Sequence, residues 1–275
     1  MMLDYASHEI TEWHDAVNIA SSAPLLTESH SSRLKTETVR LVAGKLCIPP
    51  ASAKIERQRL SDHLAKCLEQ TAGTLVCGRA GAGKTTLAAD FARQTERAVA
   101  WYTVEPADSD WNIFLKYLVA CLDQHKLNWQ QKELTDLIAD MKNAGVAQIT
   151  EAIAAWITVS ATEMPMLIVL DDVHSVFDAP WFEEFFQSLV MSLTPDVQLL
   201  LLSRSQPSVP LWRMRSKQVL SVIEEDLLAF TLDEAVRFFD SFGLSSQAAA
   251  KAHNDSYGRA AKLAQICKSC VLQIV

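Results

Sequence analysis

No apolar run in these 275 residues approaches the roughly 20 that a membrane-spanning helix needs. The first residues, Met1-Met2-Leu3-Asp4-Tyr5, are acidic and polar, so they do not read as a secretory signal. A cytoplasmic chain is the expectation. Positive charge is in deficit, with 25 Lys and Arg against 33 Asp and Glu and a net charge of −8. That argues against broad nucleic-acid binding by this chain, while leaving room for a local basic patch. Cysteine is sparse as well. Cys267-Lys268-Ser269-Cys270 is the one CxxC among the six cysteines. A zinc site would need a second pair, and a redox role would need a thioredoxin-like context; neither is present, so two half-buried helix cysteines are expected, reduced in a cytoplasm. No repeat with a period of about 20–50 residues is visible.

Glycine is scarce too, with eight in the chain, yet three fall in Cys77-Gly78-Arg79-Ala80-Gly81-Ala82-Gly83-Lys84-Thr85-Thr86. This stretch fits G-x-x-x-x-G-K-[ST], the phosphate-binding P-loop. Its glycines let the backbone turn tightly and aim N–H groups at phosphate oxygens. Lys84 can reach the β- and γ-phosphates, and the Thr85 hydroxyl can hold Mg²⁺. A helix opening near Gly83 adds the positive end of its dipole. Thr74–Cys77 before it reads as a short buried strand, and Thr85–Arg93 after it as a helix with Leu87 and Phe91 on one face.

The second informative stretch is Pro165-Met166-Leu167-Ile168-Val169-Leu170-Asp171-Asp172-Val173-His174. Five consecutive apolar residues make a strand covered on both faces, as in a parallel sheet. Two aspartates emerge at its carboxyl end, where open α/β sheets place their ligands. Asp171 would complete the Mg²⁺ shell through water, and Asp172 would orient or deprotonate an attacking water. Both could instead cap the next helix; following a phosphate loop, the chemical reading is favoured. For His174 a structural hydrogen bond and phosphate sensing stand equal.

The remaining elements fall around these two. Residues 1–45 read as a partly ordered leader, with loop-like serines and a short helix at Ile10–Ile19. Pro49-Pro50 breaks the chain. Arg57 and Arg59 precede a helix through Leu64, Cys67 and Leu68, and on spacing alone they read as a solvated helix start. Ala98–Thr103 reads as a strand. Asp108-Ser109-Asp110 reads as the cap of a helix bearing Trp111, Phe114, Leu115 and Leu118. Helix is expected over residues 127–162 with a break at Gly145, its Trp129 and Trp156 packing inward. Another helix follows Pro180. Val197–Arg204 is a buried strand ending in polar groups, where Arg204 could touch a γ-phosphate or form a surface ion pair. Gln218–Val222 is a last short strand. Beyond it Thr231-Leu232-Asp233-Glu234 is a capping box, and helices from Ser245 and Tyr257 complete a small lobe.

With these residues in place the chain resembles the STAND class of signal-transduction P-loop ATPases, and more narrowly the nucleotide-binding region of MalT-type bacterial transcription regulators. The resemblance runs over residues 46–270: Arg57 and Leu60, the phosphate loop, Ala100-Trp101, Leu170–His174, Leu202–Pro207, Pro210–Arg215, Asp226–Thr231 and Glu234-Ala235. It implies an α/β P-loop fold with a parallel five-stranded sheet flanked by helices, residues 46–222, and a C-terminal helical lobe, residues 223–275. It implies an ATP/ADP switch with Mg²⁺. Gly78, Arg79, Ala80, Gly81, Ala82, Gly83, Lys84, Thr85 and Thr86 would bind nucleotide, with Arg57 by the adenine or phosphates. Thr85 and Asp171 would hold the metal. Asp172, Lys84 and Arg204 would be catalytic, Arg204 as the sensor arginine, and the lobe would close over the nucleotide. The family continues into a superhelical repeat region and a helix-turn-helix, and neither is seen before Val275, so DNA binding is not carried over. Tyr257-Gly258-Arg259-Ala260-Ala261 also departs from the tryptophan or proline usual after that glycine.

Three functions compete. One is a slow ATPase acting as a regulatory switch, with a protein partner or self-association through the lobe. Another is an interaction module that keeps ADP or ATP without hydrolysing it. The third, an AAA+-type motor, would need a ring-forming arginine finger that cannot be located in the sequence.

Overall fold

In a computed structural model, strands form wherever short β-branched and leucine-rich runs meet polar or glycine ends. The structure describes residues 41–50, 55–124, 134–141, 143–162 and 164–272. The expected leader helix and Trp129 lie outside them. Five strands, β1 (Gly73–Cys77), β2 (Ala98–Thr103), β3 (Met166–Asp171), β4 (Val197–Ser203) and β5 (Leu220–Ile223), form one parallel sheet in the order β2-β3-β4-β1-β5. Every residue of β3 and β4 is buried, as strands covered on both faces must be.

Alternate residues of each strand feed two different cores. Leu75, Ala100, Tyr102, Ile168, Leu170, Leu199 and Leu201 face a layer made by α3 (Trp111–Asp123), α4 (Leu134–Asp140), α5 (Val146–Ala161) and α6 (Phe182–Ser192). Val76, Trp101, Leu167, Val169, Leu200 and Leu202 face α1 (Gln58–Gln70) and α2 (Lys84–Gln94). α4 ends at Asp140 and Gly145 is the N-cap of α5, so the break falls where it was expected. Among the described residues no helix is long and apolar enough to cross a membrane.

After β5 the pattern changes. Short helices α7 (Leu211–Ser216), before β5, and α8 (Glu225–Leu228), after it, lead to α9 (Leu232–Asp240), α10 (Ser246–Ser256) and α11 (Ala260–Leu272). The last three share a separate small core around Phe239, Ala249, Ala252, Leu263 and Cys267. Thr231 and Glu234 make the expected reciprocal cap of α9. Gly258 is required at its turn. Its φ is +69°, and a Cβ there would lie 2.5 Å from the Phe230 carbonyl oxygen. Cys267 is buried and Cys270 half-buried on α11, both as free thiols.

Within the cap expected at Asp108-Ser109-Asp110, Asp110 does the capping, accepting from the Asn112 and Ile113 N–H groups. Asp108 turns inward to Lys45, 2.5 Å and 2.7 Å from Nζ, and both side chains are buried. The Lys45 ammonium also sits 4.1 Å from the Tyr117 ring centre. A buried pair of this kind is costly to break from one side, because the remaining charge has no counterion. Lys45→Met alone is therefore expected to cost about 3–5 kcal/mol, read as a lower urea midpoint. Adding Asp108→Leu to it should recover much of the loss.

Candidate phosphate-binding site

The sheet order decides what can meet. β4 lies between β1 and β3, so the phosphate loop leaving β1 and the aspartates leaving β3 flank whatever ends β4. Cys77 is in register with Ser203, and the Gly78 N–H bonds the Ser203 carbonyl at 3.1 Å. Arg204 thus emerges between the two motifs.

Thr85, in the first turn of α2, places Oγ1 3.1 Å from both carboxylate oxygens of Asp171. Asp171 is almost fully buried. Burial pushes its carboxyl up to about 6, helped by the Asp172 charge and opposed by Thr85, the Asp172 N–H and Lys84. Lys84 is buried as well, and its Nζ donates to the carbonyls of Gly78 at 2.6 Å and Arg79 at 3.3 Å. Burial lowers its pKa, while Asp172 and Asp171 oppose that shift. Gly83 caps α2 with no side-chain bond, and the first N–H groups of a helix have no intrahelical acceptor, so the start of α2 offers donors to an anion. Gly81 and Gly83 both have positive φ, 76° and 95°, which the loop's turn requires.

Asp172 follows with φ 55°, an uncommon left-handed conformation for a residue with a side chain. Its Oδ1 lies 3.5 Å from Arg204 Nε and 3.6 Å from His174 Nδ1. The site therefore gathers Lys84, Thr85, Asp171, Asp172 and Arg204, all named from the sequence.

Arg57 lines the cavity beside α2 and is engaged there by the lobe. Its guanidinium donates to Glu234 Oε2 at 2.9 Å and to the Leu228 and Ala229 carbonyls at 3.0 Å and 2.9 Å, and it stacks 4.0 Å from the Phe230 ring centre. Burial lowers the Arg57 pKa, with Glu234 opposing. Burial pushes the Glu234 carboxyl up, but the Thr231 N–H and Arg57 outweigh it and hold it low. Arg79 is also engaged: its N–H and Nε each donate to Glu225 at 2.9 Å. Glu225 was not singled out from the sequence; its partner lies 146 residues away and no local pattern marks the pair.

The lobe touches the loop directly. The Ala261 N–H bonds the Gly81 carbonyl at 3.0 Å, and a Cβ on Gly81 would come within 2.6 Å of Ala261 Cβ. Beside this contact, a cavity of about 740 Å³ opens between Ile55–Arg57, Thr86 and Leu87 of α2, and Phe230, Ala260 and Ala261 of the lobe. Among the described residues no group of three or more His, Cys, Asp or Glu is arranged to hold a metal ion, so a cation here would need oxygens from its ligand.

Fold, loop and acidic strand end define a P-loop ATPase domain. A family model described as AAA ATPase domain matches residues 54–211, more than half the chain, and the chain belongs to that family. The transcriptional regulator MalT of Cronobacter sakazakii, a helix-turn-helix type, is 29% identical over 175 residues, 60% of this chain and 18% of MalT. The chain thus spans under a fifth of that relative. A signal transduction ATPase with numerous domains (STAND) from Pyrococcus horikoshii, with a tetratricopeptide repeat sensor, superposes with a TM-score of 0.56 over 82% of this chain and 33% of its own, at 16% identity. A Walker-type ATPase of Pyrococcus abyssi gives 0.52 over 80% and 71%, at 13% identity. At such identities these two speak for the fold. Together the matches agree with the motifs on a P-loop ATPase domain, similar over part of its length to MalT.

The elevated Asp171 pKa carries a sign. Between pH of about 4 and 6 the folded chain keeps a proton that the unfolded chain has released, so this group lowers stability as pH rises through that window. Asp171→Asn should therefore stabilise the nucleotide-free protein at pH 7, with a smaller gain at pH 4.5. Urea midpoints of both proteins at both pH values check this.

Proposed function

We propose that this chain is a Mg²⁺-dependent ATP/ADP switch that hydrolyses ATP slowly. The observation that carries the reading is the Thr85–Asp171 contact, which joins the phosphate loop to the acidic strand end across β4. The helix start after Gly83 and the buried Lys84 fit a polyphosphate. Gly78, Arg79, Ala80, Ala82 and Thr86 complete that loop. The mostly apolar cavity beside Thr86 has the size of a nucleoside pocket. Thr85 and Asp171 would hold Mg²⁺, which when bound supplies charge for the phosphate oxygens. Lys84 would bind the phosphates, Asp172 would orient and deprotonate water, and Arg204 would turn to the γ-phosphate.

A second reading has one observation behind it. Arg204 and Asp172 sit against each other, which withholds both from a ligand, as a module that keeps nucleotide without turnover would require. Residues 46–222 as a nucleotide-binding domain, 223–275 as a lobe, and a protein partner or second copy at the lobe belong to either reading.

Lys84→Ala is expected to abolish ATP binding, while Asp172→Asn binds ATP normally and turns none over. Calorimetric titration with Mg–ATP and a single-turnover phosphate-release assay measure the two. Undiminished affinity of Lys84→Ala would overturn the assignment of the loop. Tight ATP binding by the unsubstituted chain with no phosphate released would favour the second reading.

A further inference from the structure

Asp172 ends up in the left-handed region at the entry of a 3-10 turn, Val173–Val176, which is pinned by two buried valines. Its backbone position is fixed, but its carboxylate is a third exposed and needs something to aim it. Arg204 and His174 approach the same oxygen, Oδ1, at 3.5 Å and 3.6 Å. The His174 Nδ1 is buried and has no hydrogen-bond partner among the described residues. A buried nitrogen without a partner is unfavourable, so its place beside a carboxylate calls for an account.

Arg204 cannot serve two acids at once. If it turns to a terminal phosphate, Asp172 loses its cation. Lys84 also carries charge near Asp172, but in a nucleotide complex it would face the phosphates, and the other donor beside Oδ1 is the His174 ring. We propose that His174 is the positioning residue for Asp172: its Nδ1–H closes on Oδ1 when Arg204 leaves, leaving the second oxygen of the carboxylate free for the attacking water. Burial lowers the His174 pKa against the pull of Asp172, with Arg204 and Lys84 acting in the same direction as burial, so the ring is neutral at pH 7. A neutral ring with its proton on Nδ1 donates one hydrogen bond and exchanges no proton. His174 therefore acts through Asp172 and touches no reacting atom. This inference rests on the hydrolysis reading above.

The test uses side chains that place an amide donor at different ring positions. Asn can put its N–H₂ near the Nδ1 position, whereas Gln reaches towards Nε2 and leaves Nδ1 unmatched. In the full chain, His174→Gln is expected to lose about 10- to 100-fold in kcat, the scale of a misplaced catalytic group. KM and calorimetric ATP affinity should stay unchanged, and His174→Asn should recover most of the kcat. Thermal melting of both variants confirms folding. Equal kcat in the Gln and Asn variants, at any level, overturns the proposal, as does a change confined to KM. Turnover that is lost in Asp172→Asn but kept in His174→Gln overturns this assignment alone. No turnover in the unsubstituted chain overturns the hydrolysis reading and takes this assignment with it.

Discussion

The Thr85 hydroxyl reaches both oxygens of Asp171 over a strand that belongs to neither motif. Without that contact the phosphate loop and the acidic strand end would be two unrelated features. It requires β4 to be the central spacer, and β4 can be central because Val197–Ser203 buries every residue. Parallel register sets the rest. Cys77 pairs with Ser203, and Leu170 with Leu201, so the three strand ends finish at one level. Asp171 accepts burial because Thr85, the Asp172 N–H and Lys84 lie around it, and its pKa still rises because those groups offset only part of the desolvation.

What the chain's residues disclosed by themselves follows from how local each signal is. Gly78–Thr86 is contiguous, and its geometry is dictated by glycine conformations and a helix start. Leu170-Asp171-Asp172 is contiguous too, and following a phosphate loop its two carboxylates read as chemistry rather than as a helix cap. The long-range pairings were not legible. Arg57 read on spacing alone as a solvated helix start, and only the family resemblance implied a nucleotide role; its partners Leu228, Ala229 and Glu234 come more than 170 residues later. Asp108 looked like a cap because caps are short-range, whereas its partner Lys45 lay in a stretch taken for a leader. Charge pairs across the fold have no periodicity to betray them, and only folding shows which acid a base has found.

Those hidden pairs concern the lobe. Arg57 and Arg59 bind Glu234 and the carbonyls before α9, Arg79 binds Glu225, and α11 sets its first turn on Gly81. The lobe has its own apolar core; hydrogen bonds, ion pairs and a close glycine contact join it to the loop, while Leu228 packs into the α1/α2 core of the sheet. Such junctions are sensitive to charge placed nearby, while apolar cores are not. The switch reading draws its plausibility from this division: a polyphosphate would bring its charge to the place where the lobe is held by charges.

Energy limits what a single residue can do in such a switch. A ligand moves a conformational balance only by binding one state better than the other. Shifting it from 1:99 to 99:1 takes about 5.5 kcal/mol, against about 1.5–3 kcal/mol for one charged hydrogen bond. Arg204, half exposed and paired with Asp172 in this state, falls short alone. In the proposed switch the γ-phosphate would have to release several contacts together: Arg204 from Asp172, Lys84 from the Gly78 and Arg79 carbonyls, and the lobe from Gly81. The Lys84 and Gly81 contacts lie on the ten residues Cys77–Thr86, and the Arg204–Asp172 pair lies just beyond the ends of the neighbouring strands β4 and β3, so all three sit at one edge of the sheet, where a single ligand could couple them.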